Sequence, residues 1–358
     1  MRQIDLLHSE VGIANQMIGN HHPPFIIAEM SGNHNQSLER ALRIVEAAAS
    51  CGVQALKLQT YTADTMTLNI GSKDFVISDP ASLWNGYSLY ELYEKAHTPW
   101  EWHKAIFSRC AELGLICLST PFDTTAVDFL ESLHCPCYKI ASFEITDLQL
   151  ISYVAATGKP MILSTGMATV AEIDDAVRTA RENGCDDIIL LKCTSTYPAP
   201  PDHSNLATIS HMQQLFSCPA GLSDHTLGMG TAIAAVALGA SVIEKHFTLD
   251  RKDGGVDSAF SLDPEEMRIL VKEARQAWQS VGKIQYGAGS VEKASRKFRR
   301  SIYASADIKA GETIGEENIR IIRPGYGLEP KFFPVLCGMT ARVDIPRGTP
   351  IDWVLLKG

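Results

Sequence analysis

No apolar run in this 358-residue chain reaches the ~18 residues that a membrane helix needs, so a helical membrane protein is not the starting point. The first ten residues hold Asp5 and Glu10 and no basic-then-apolar order, so no secretory leader is expected. No glycine-rich dinucleotide fingerprint follows the first predicted strand, which removes support for nicotinamide chemistry. Positive charge is not in excess. Lys and Arg number 32 against 41 Asp and Glu, a net charge of −9 with pI near 5.7, which argues against a nucleic-acid surface. A cleft can still concentrate positive charge for a small anion. Nine cysteines are an odd number and lie scattered, so reduced thiols in a cytoplasmic protein are expected rather than a disulfide framework. Cys135 and Cys137 stand too close together for the usual metal spacing and read as small core residues entering a strand.

What the chain does have is alternation. Short β-branched and aliphatic runs recur at Pro24–Glu29, Ala55–Thr60, Leu115–Thr120, Cys137–Ser142, Pro160–Thr165, Asp187–Thr194, Pro219–Ser223 and Ser241–Phe247. Between them lie segments with helical apolar spacing, such as Leu38–Cys51, Trp100–Leu113, Ala171–Asn183 and Leu227–Gly239. Gly52, Gly114, Gly158 and Gly184 stand where helices should end. Eight strands followed by helices predict an α/β fold, a parallel (β/α)8 TIM barrel over residues 1–285. A doubly wound open sheet is disfavoured because Glu29-Met30-Ser31-Gly32-Asn33-His34 stands where its phosphate turn would be. The long interval Tyr61–Pro99 would sit at the barrel mouth, as a lid or as a surface hairpin with aromatics packed beneath it. Residues 286–300, basic over Lys293–Arg300, read as a linker. Residues 301–358 then repeat an Asp-Ile-x-x-Gly-x-x-Ile unit, at Asp307–Ile314 and Asp344–Ile351, which predicts a small domain of paired strand–turn units.

Strand ends carry the chemistry of a barrel. Here they present Glu29; Lys57 with Gln59; Ser119 with Thr120; Lys139 with Ser142 and Glu144; and Ser164 with Thr165. The later strands present Lys192 with Thr194, Ser195 and Tyr197; Ser223-Asp224-His225; and Glu244-Lys245-His246. Single positions of this kind are explained as helix caps or snorkelling edge residues. Eight together are not, because so many buried polar groups need a ligand to satisfy them. Lysines and hydroxyls around one mouth suit a phosphate and a carboxylate. His225 and His246 end consecutive strands and suit either a divalent metal such as Mn²⁺, Co²⁺ or Zn²⁺, or a general acid/base pair. Ser164-Thr165-Gly166-Met167 reads as a phosphate-binding turn or as an ordinary strand-to-helix turn. His21-His22 precedes the first strand, at the wrong end for the site.

In order along the chain, Ile27–His34, Leu56–Thr60, Tyr138–Ser142, Leu163–Met167, Gly221–His225 and Glu244–Phe247 resemble the sialic acid synthases. Arg323-Pro324-Gly325 is similar to the antifreeze-protein-like (SAF, β-clip) module with which that family ends. The resemblance covers nearly the whole chain. It implies a domain-swapped homodimer, with the module of one subunit over the barrel mouth of the other, and phosphoenolpyruvate and an amino sugar as substrates. It implies that phosphoenolpyruvate meets Lys57, Thr120, Lys139, Ser142, Ser164 and Ser223. His225 and His246 would hold a divalent metal (Mn²⁺, Mg²⁺ or Co²⁺), which polarises the sugar aldehyde and activates water. Glu29, Gln59, Tyr197, Asp257 and Arg323 would contact the sugar, with Glu144 near the reacting centre. Glu29, Glu144, Gln59 and Asp257 are the catalytic candidates, and which carboxylate moves the proton stays open.

Within that family, Phe143, Ser195 and the segment Gly254–Ser261 depart from the neuraminate pattern. With Trp84–Tyr87 and His97–Trp102 they resemble the pseudaminate branch, whose sugar is 2,4-diacetamido-2,4,6-trideoxy-L-altrose. N-acetylneuraminate or legionaminate synthesis is the alternative. A metal-dependent aldolase or isomerase on the same barrel explains the histidines but not the lysine and hydroxyl set. A carbohydrate- or ice-binding protein is disfavoured by Arg323, Lys331 and Arg342, because an ice-binding face should be flat and regularly spaced with threonines.

Overall fold

A computed structural model of the chain describes residues 10–80 and 82–357. The N-terminal segment in which no leader was expected lies, except for Glu10, outside them. The chain divides into two compact units, Met1–Gly282 and Lys283–Gly358. Among the described residues no helix is long and apolar enough to cross a membrane.

The first unit opens with an antiparallel hairpin, Glu10–Ile13 (β1) and Gln16–Gly19 (β2). Eight parallel strands follow: Phe25–Glu29 (β3), Ala55–Thr60 (β4), Ile116–Pro121 (β5), Tyr138–Ile140 (β6), Met161–Ser164 (β7), Ile188–Cys193 (β8), Ala220–Asp224 (β9) and Val242–His246 (β10). Each pairs with the next, and β10 returns to β3, so the sheet closes into the expected barrel. Each predicted strand run overlaps one of these strands, with ends that agree to within two residues.

Around the strands lie α1 (Leu38–Cys51), α2 (Ala63–Met66), α3 (Leu89–Ala96), α4 (Trp100–Glu112), α5 (Thr124–Ser132), α6 (Leu148–Ala155), α7 (Val170–Glu182), α8 (Thr208–Phe216), α9 (Gly230–Ala237) and α10 (Pro264–Val281). Their starts are written in local chemistry. Ser37 accepts from the Arg40 amide, and Thr169 with Glu172 and Asp263 with Glu266 form reciprocal capping boxes. Gly52, Gly114, Gly158 and Gly184 all take the left-handed conformation expected of helix-ending glycines.

Two apolar layers follow from the strand period of two. Inward residues Phe25, Ile27, Ala55, Leu118, Ile162 and Val242 cluster with Val11, Ile13 and Ile18 of the hairpin, which closes the N-terminal end of the barrel. Outward residues such as Ile26, Leu56, Leu58, Ile140 and Leu163 pack against the helices. Gly221 lies where β9 and β10 crowd together: a Cβ there would overlap the Val242 carbonyl oxygen. Cys135 and Cys137 are fully buried, as expected of core residues, and all nine cysteines are free. His22 is held by Glu10 at 3.0 Å.

The second unit begins with exposed 3-10 turns over Ser290–Phe298. Ser301–Ala304 (β11) then pairs with Ile319–Ile322 (β12), and Thr340–Ala341 (β13) with Leu356–Lys357 (β14), with Phe333–Leu336 (α11) between the pairs. The sequence repeat pairs with itself. Ile308 bridges Ile345 antiparallel, Asp344 accepts from the Ala310 amide at 2.8 Å, and Asp307 accepts from the Arg347 amide at 2.7 Å. The repeated isoleucines Ile308, Ile314, Ile345 and Ile351 fill the small core.

Candidate active site

Inward parity, extended one step past the apolar layer, selects the side chains of the site. On β3 the inward series Phe25, Ile27 ends in Glu29; on β4, Ala55 leads to Lys57 and Gln59; on β5, Leu118 leads to Thr120. Lys139 of β6, Ser164 of β7, Ser223 of β9, and Glu244 and His246 of β10 follow the same rule. Barrel register sets them level: His246 is opposite Glu29, Glu29 opposite Lys57, and Gln59 opposite Thr120.

The same parity corrects part of the strand-end list. Ser119 points outward, to Thr60 Oγ1 at 2.6 Å. Thr165 points outward, to the Leu191 carbonyl and Met212. Lys192 donates to the neighbouring Cys193 carbonyl at 2.7 Å, and Lys245 forms a wholly buried ion pair with Asp224 at 2.8 Å. These four positions fall one residue out of phase with the inward series.

Four charges lie at the centre, each less than 5% exposed. Lys57 Nζ is 2.7 Å from Glu29 Oε2 and 3.4 Å from Glu244 Oε1, and Lys139 Nζ is 3.2 Å from the same Glu244 oxygen. A single buried charge costs several kcal/mol, and this alternation of sign offsets it. Burial raises the Glu244 carboxyl, but Lys139 and Lys57 outweigh it and hold it at about 2. Burial lowers the Lys57 ammonium, and Glu244 and Glu29 more than restore it. Burial leaves Lys139 below its ordinary value and Glu29 above its own.

Hydroxyls surround the lysines. Thr120 accepts from Lys57 at 3.3 Å, Ser223 donates to Glu244 at 3.2 Å, and Ser142 accepts from the Gly166 amide at 3.1 Å. Ser164 Oγ and Glu244 Oε2 are buried with no hydrogen-bond partner among the described residues. Two ammonium groups and unpaired hydroxyl capacity fit an anion with several oxygens.

Next to this cluster is a cavity of about 410 Å³. Its polar lining is Ser31, Gln59, Glu144, Tyr197, His246 and Asp257. Ser31 donates to Asp257, and Gln59 donates to Glu29 at 2.9 Å and to Ser31 at 3.1 Å. Burial pushes Glu144 up to about 7 and Asp257 up to about 6, and Glu144 Oε2 has no partner among the described residues.

The remaining lining is largely apolar and comes from the interval between β4 and α4. Met66, Ile77, Trp84, Leu89 and Tyr93 face Phe143 across the cavity. Trp84 donates to the Val256 carbonyl at 3.0 Å and lies 5.6 Å from the Tyr197 ring. The interval thus stands at the barrel mouth as expected, and an antiparallel bridge joins Val76 to Ser88 within it. Phe143 is 59% exposed, so it is not a core residue.

His225 and His246 approach to 5.3 Å between ring centroids. His225 Nδ1 lies 3.1 Å from the Thr194 carbonyl, an acceptor that keeps a proton on that nitrogen. Burial lowers this imidazole, but contact with Cys193 and the Thr194 carbonyl outweighs it and holds it above its ordinary value. Burial, His225 and Lys57 hold His246 well below its ordinary value, so its ring is neutral. His246 Nδ1 lacks a hydrogen-bond partner among the described residues and lies 3.6 Å from Asp257 Oδ2. The open nitrogen of the neutral His246 ring, and His225 Nε2 once it yields its proton to an incoming cation, fit a divalent ion. Among the described residues no group of three or more His, Cys, Asp or Glu is set to hold one, so water or substrate oxygens would complete the shell.

Sequence reasoning missed Cys193. It is inward on β8, and its thiol lies 3.8 Å from His225 Nδ1. Burial raises this thiol, but contact with His225 brings it down to about 7. The parity Ile189, Leu191, Cys193 was the available signal. Arg323 belongs to the second unit, between β12 and α11.

Known proteins resemble this chain over both of its units. Residues 44–286 match the NeuB family model and residues 299–357 match the SAF domain model. A pseudaminic acid synthase of Campylobacter jejuni is 45% identical over 324 residues, covering 90% of this chain and 94% of that protein. A pseudaminic acid synthase of Helicobacter pylori is 43% identical, covering 92% and 97%. The crystal structure of a spore coat polysaccharide biosynthesis protein from Bacillus subtilis superposes with a TM-score of 0.66 at 35% identity, covering 98% of this chain and 99% of that one. The barrel chain belongs to the NeuB family, and it ends in a SAF domain.

Proposed function

We propose that this chain is a pseudaminic acid synthase, which condenses phosphoenolpyruvate with 2,4-diacetamido-2,4,6-trideoxy-L-altrose and releases phosphate. The observation that carries the reading is the pairing of a buried two-lysine cluster with an adjacent cavity whose floor is polar and whose wall is apolar. The first suits a small molecule bearing a phosphate and a carboxylate. The second suits a sugar that has lost hydroxyls and gained acetamido groups. The two relatives named pseudaminic acid synthase, matched over nine-tenths of the chain, support the same choice.

In this reading Lys57 and Lys139 neutralise the phosphate and carboxylate charges, and Thr120, Ser142, Ser164 and Ser223 orient their oxygens. Carbon 3 of phosphoenolpyruvate adds to the sugar aldehyde carbon while water adds to carbon 2. The C–O bond to phosphate then breaks, leaving the α-keto acid and inorganic phosphate. Gln59, Tyr197, Glu29 and Asp257 hold the sugar. Glu144, with its carboxyl near 7, is matched to proton transfer at neutral pH. His225 and His246 would hold a divalent ion (Mn²⁺, Mg²⁺ or Co²⁺), which when bound supplies Lewis-acid polarisation of the aldehyde oxygen. The proposal includes a domain-swapped homodimer in a reducing, cytoplasmic setting, with Arg323 of the partner subunit reaching the sugar.

The test is phosphate release with mass analysis of the product. The purified chain, phosphoenolpyruvate and Mn²⁺ are given either the trideoxy altrose or N-acetylmannosamine. Pseudaminic acid and stoichiometric phosphate are expected from the first. Preference for N-acetylmannosamine overturns the sugar assignment, and absence of phosphate with any amino sugar overturns the synthase reading in favour of an aldolase. Full turnover by Arg323→Ala would remove that residue from the site.

A further inference from the structure

The segment after β10 carries Asp257 into the cavity and folds back to Ser261 at the foot of α10. Its hold on the barrel comes from a part of the chain more than 200 residues earlier. The buried amide of Asn33 donates to the Phe247 carbonyl and to Ser261 Oγ, both at 2.9 Å, so one side chain holds both ends of the loop. Ser261 Oγ in turn donates to the Asp257 carbonyl at 2.7 Å.

Arg40, in the first turn of α1, supplies a second tie. Its Nη1 meets Asp253 Oδ2 at 2.6 Å, its Nε donates to the Asn33 carbonyl at 2.8 Å, and its Nη2 donates to Thr248 Oγ1 at 3.3 Å. Asn35 adds bonds to the Asp253 and Gly254 carbonyls, each at 3.3 Å. The fit is close enough to dictate sequence. Gly255 has φ +132°, and a Cβ there would stand 2.9 Å from Asn35 Oδ1 and 3.0 Å from Asn33 Oδ1.

We propose that Asn33 and Arg40 are positioning residues for the sugar half of the site, acting through the Asp253–Asp257 loop. They touch neither proposed substrate. They fix the backbone on which Asp257 meets Ser31 and lies beside His246. A loop of this length left free would spread its carboxylate over several ångströms, whereas productive contacts need placement within about 0.5 Å. A displacement of about 1 Å can cost about 100-fold in rate. The lysine cluster stands on β4 and β6 and takes no part in the clamp. The inference rests on reading Asp257 as a sugar contact.

The full-length protein tests it through Asp253→Asn, Arg40→Met and Arg40→Lys, with KM and kcat measured separately for each substrate. Asp253 is half exposed, so its variant keeps the fold even if the buried Arg40→Met does not. Asp253→Asn and Arg40→Met are expected to raise the sugar KM or lower kcat by about 10-fold or more, with the phosphoenolpyruvate KM changed by less than about two-fold. Arg40→Lys should recover part of the loss. Hydrogen exchange should speed up across residues 248–260 and not in the barrel strands. Wild-type kinetics in Asp253→Asn, a parallel rise of both KM values, or no benefit of Lys over Met would each overturn the clamp. Should the wild-type protein turn over no amino sugar, the proposed function falls. The exchange measurement then still decides whether the Arg40–Asp253 tie holds this loop.

Discussion

Glu29 and Glu244 flank the same ammonium, yet replacing each by glutamine should change stability in opposite directions. Glu244 is held down from its ordinary 4.5 to about 2. That displacement of about 2.5 pH units, at 1.36 kcal/mol per unit, is about 3 kcal/mol of stability at neutral pH. A depressed carboxyl contributes fully above about pH 4.5 and loses its contribution as pH falls toward about 2. Glu244→Gln should therefore cost about 3 kcal/mol, evenly from pH 8 down to pH 5. Glu29 is held above its ordinary value, with burial outweighing Lys57. Its ionised form opposes folding, and the penalty grows as pH rises from about 4.5. Glu29→Gln removes that penalty while its amide oxygen can still accept from Lys57 or Gln59, so stability should hold or rise, with the gain increasing with pH.

Thermal unfolding of the barrel transition, at fixed scan rate between pH 5 and 8, measures both. For a unit of this size, 3 kcal/mol corresponds to a Tm loss of about 5 °C. Equal losses in the two variants would refute the reasoning. It would mean that Glu29 is stabilised as an anion and that the Lys57 charge is shared evenly.

Glu144, raised to about 7 by burial, should give kcat/KM a limb near pH 7. Glu144→Gln should remove that limb and lower kcat by about 100-fold or more, and a limb that persists in the variant assigns the proton to another carboxylate. Dialysis against a chelator should abolish turnover and Mn²⁺ should restore it, while calorimetric Mn²⁺ binding should disappear in His246→Gln; binding that survives moves the ion elsewhere. Gly221→Ala places a methyl group against the Val242 carbonyl and Leu191, an overlap expected to cost about 3 kcal/mol, and an unchanged Tm would show that β9 and β10 can part without loss.

The barrel was legible in sequence because each strand announces itself locally. Short stretches rich in Val, Ile and Leu, several of them preceded by a helix-ending glycine, need no long-range information. The hairpin of β1 and β2 was not legible. Glu10–Ile13 and Gln16–Gly19 are short and half polar, and their burial comes only from plugging the barrel floor. In the second unit the Asp-Ile repeat disclosed two related halves, but not that they pair with each other through Asp307 and Asp344. That pairing uses backbone amides, which leave no mark in the sequence.

The site was legible as a set of residues before it was legible as an arrangement. Strand ends supply both faces of the sheet, and only the phase of each strand decides which side chains enter the barrel. Lys57 and Lys192 look equivalent as lysines near strand ends, yet Lys57 continues the inward series of Ala55, whereas Lys192 interrupts that of Leu191 and Cys193. The apolar residues deeper in the barrel therefore specify the chemistry at its mouth. A single-residue slip of β10 would exchange Glu244 and His246 for Lys245, removing the carboxylate oxygen that Lys57 and Lys139 share and bringing a third ammonium in its place. The buried pair Lys245–Asp224 works against that slip. It satisfies the outward lysine on the helix side of the sheet and fixes the phase that sends His246 inward beside His225. What sequence could not supply was this mutual constraint, since Asp224 and Lys245 meet only when β9 and β10 are already in register.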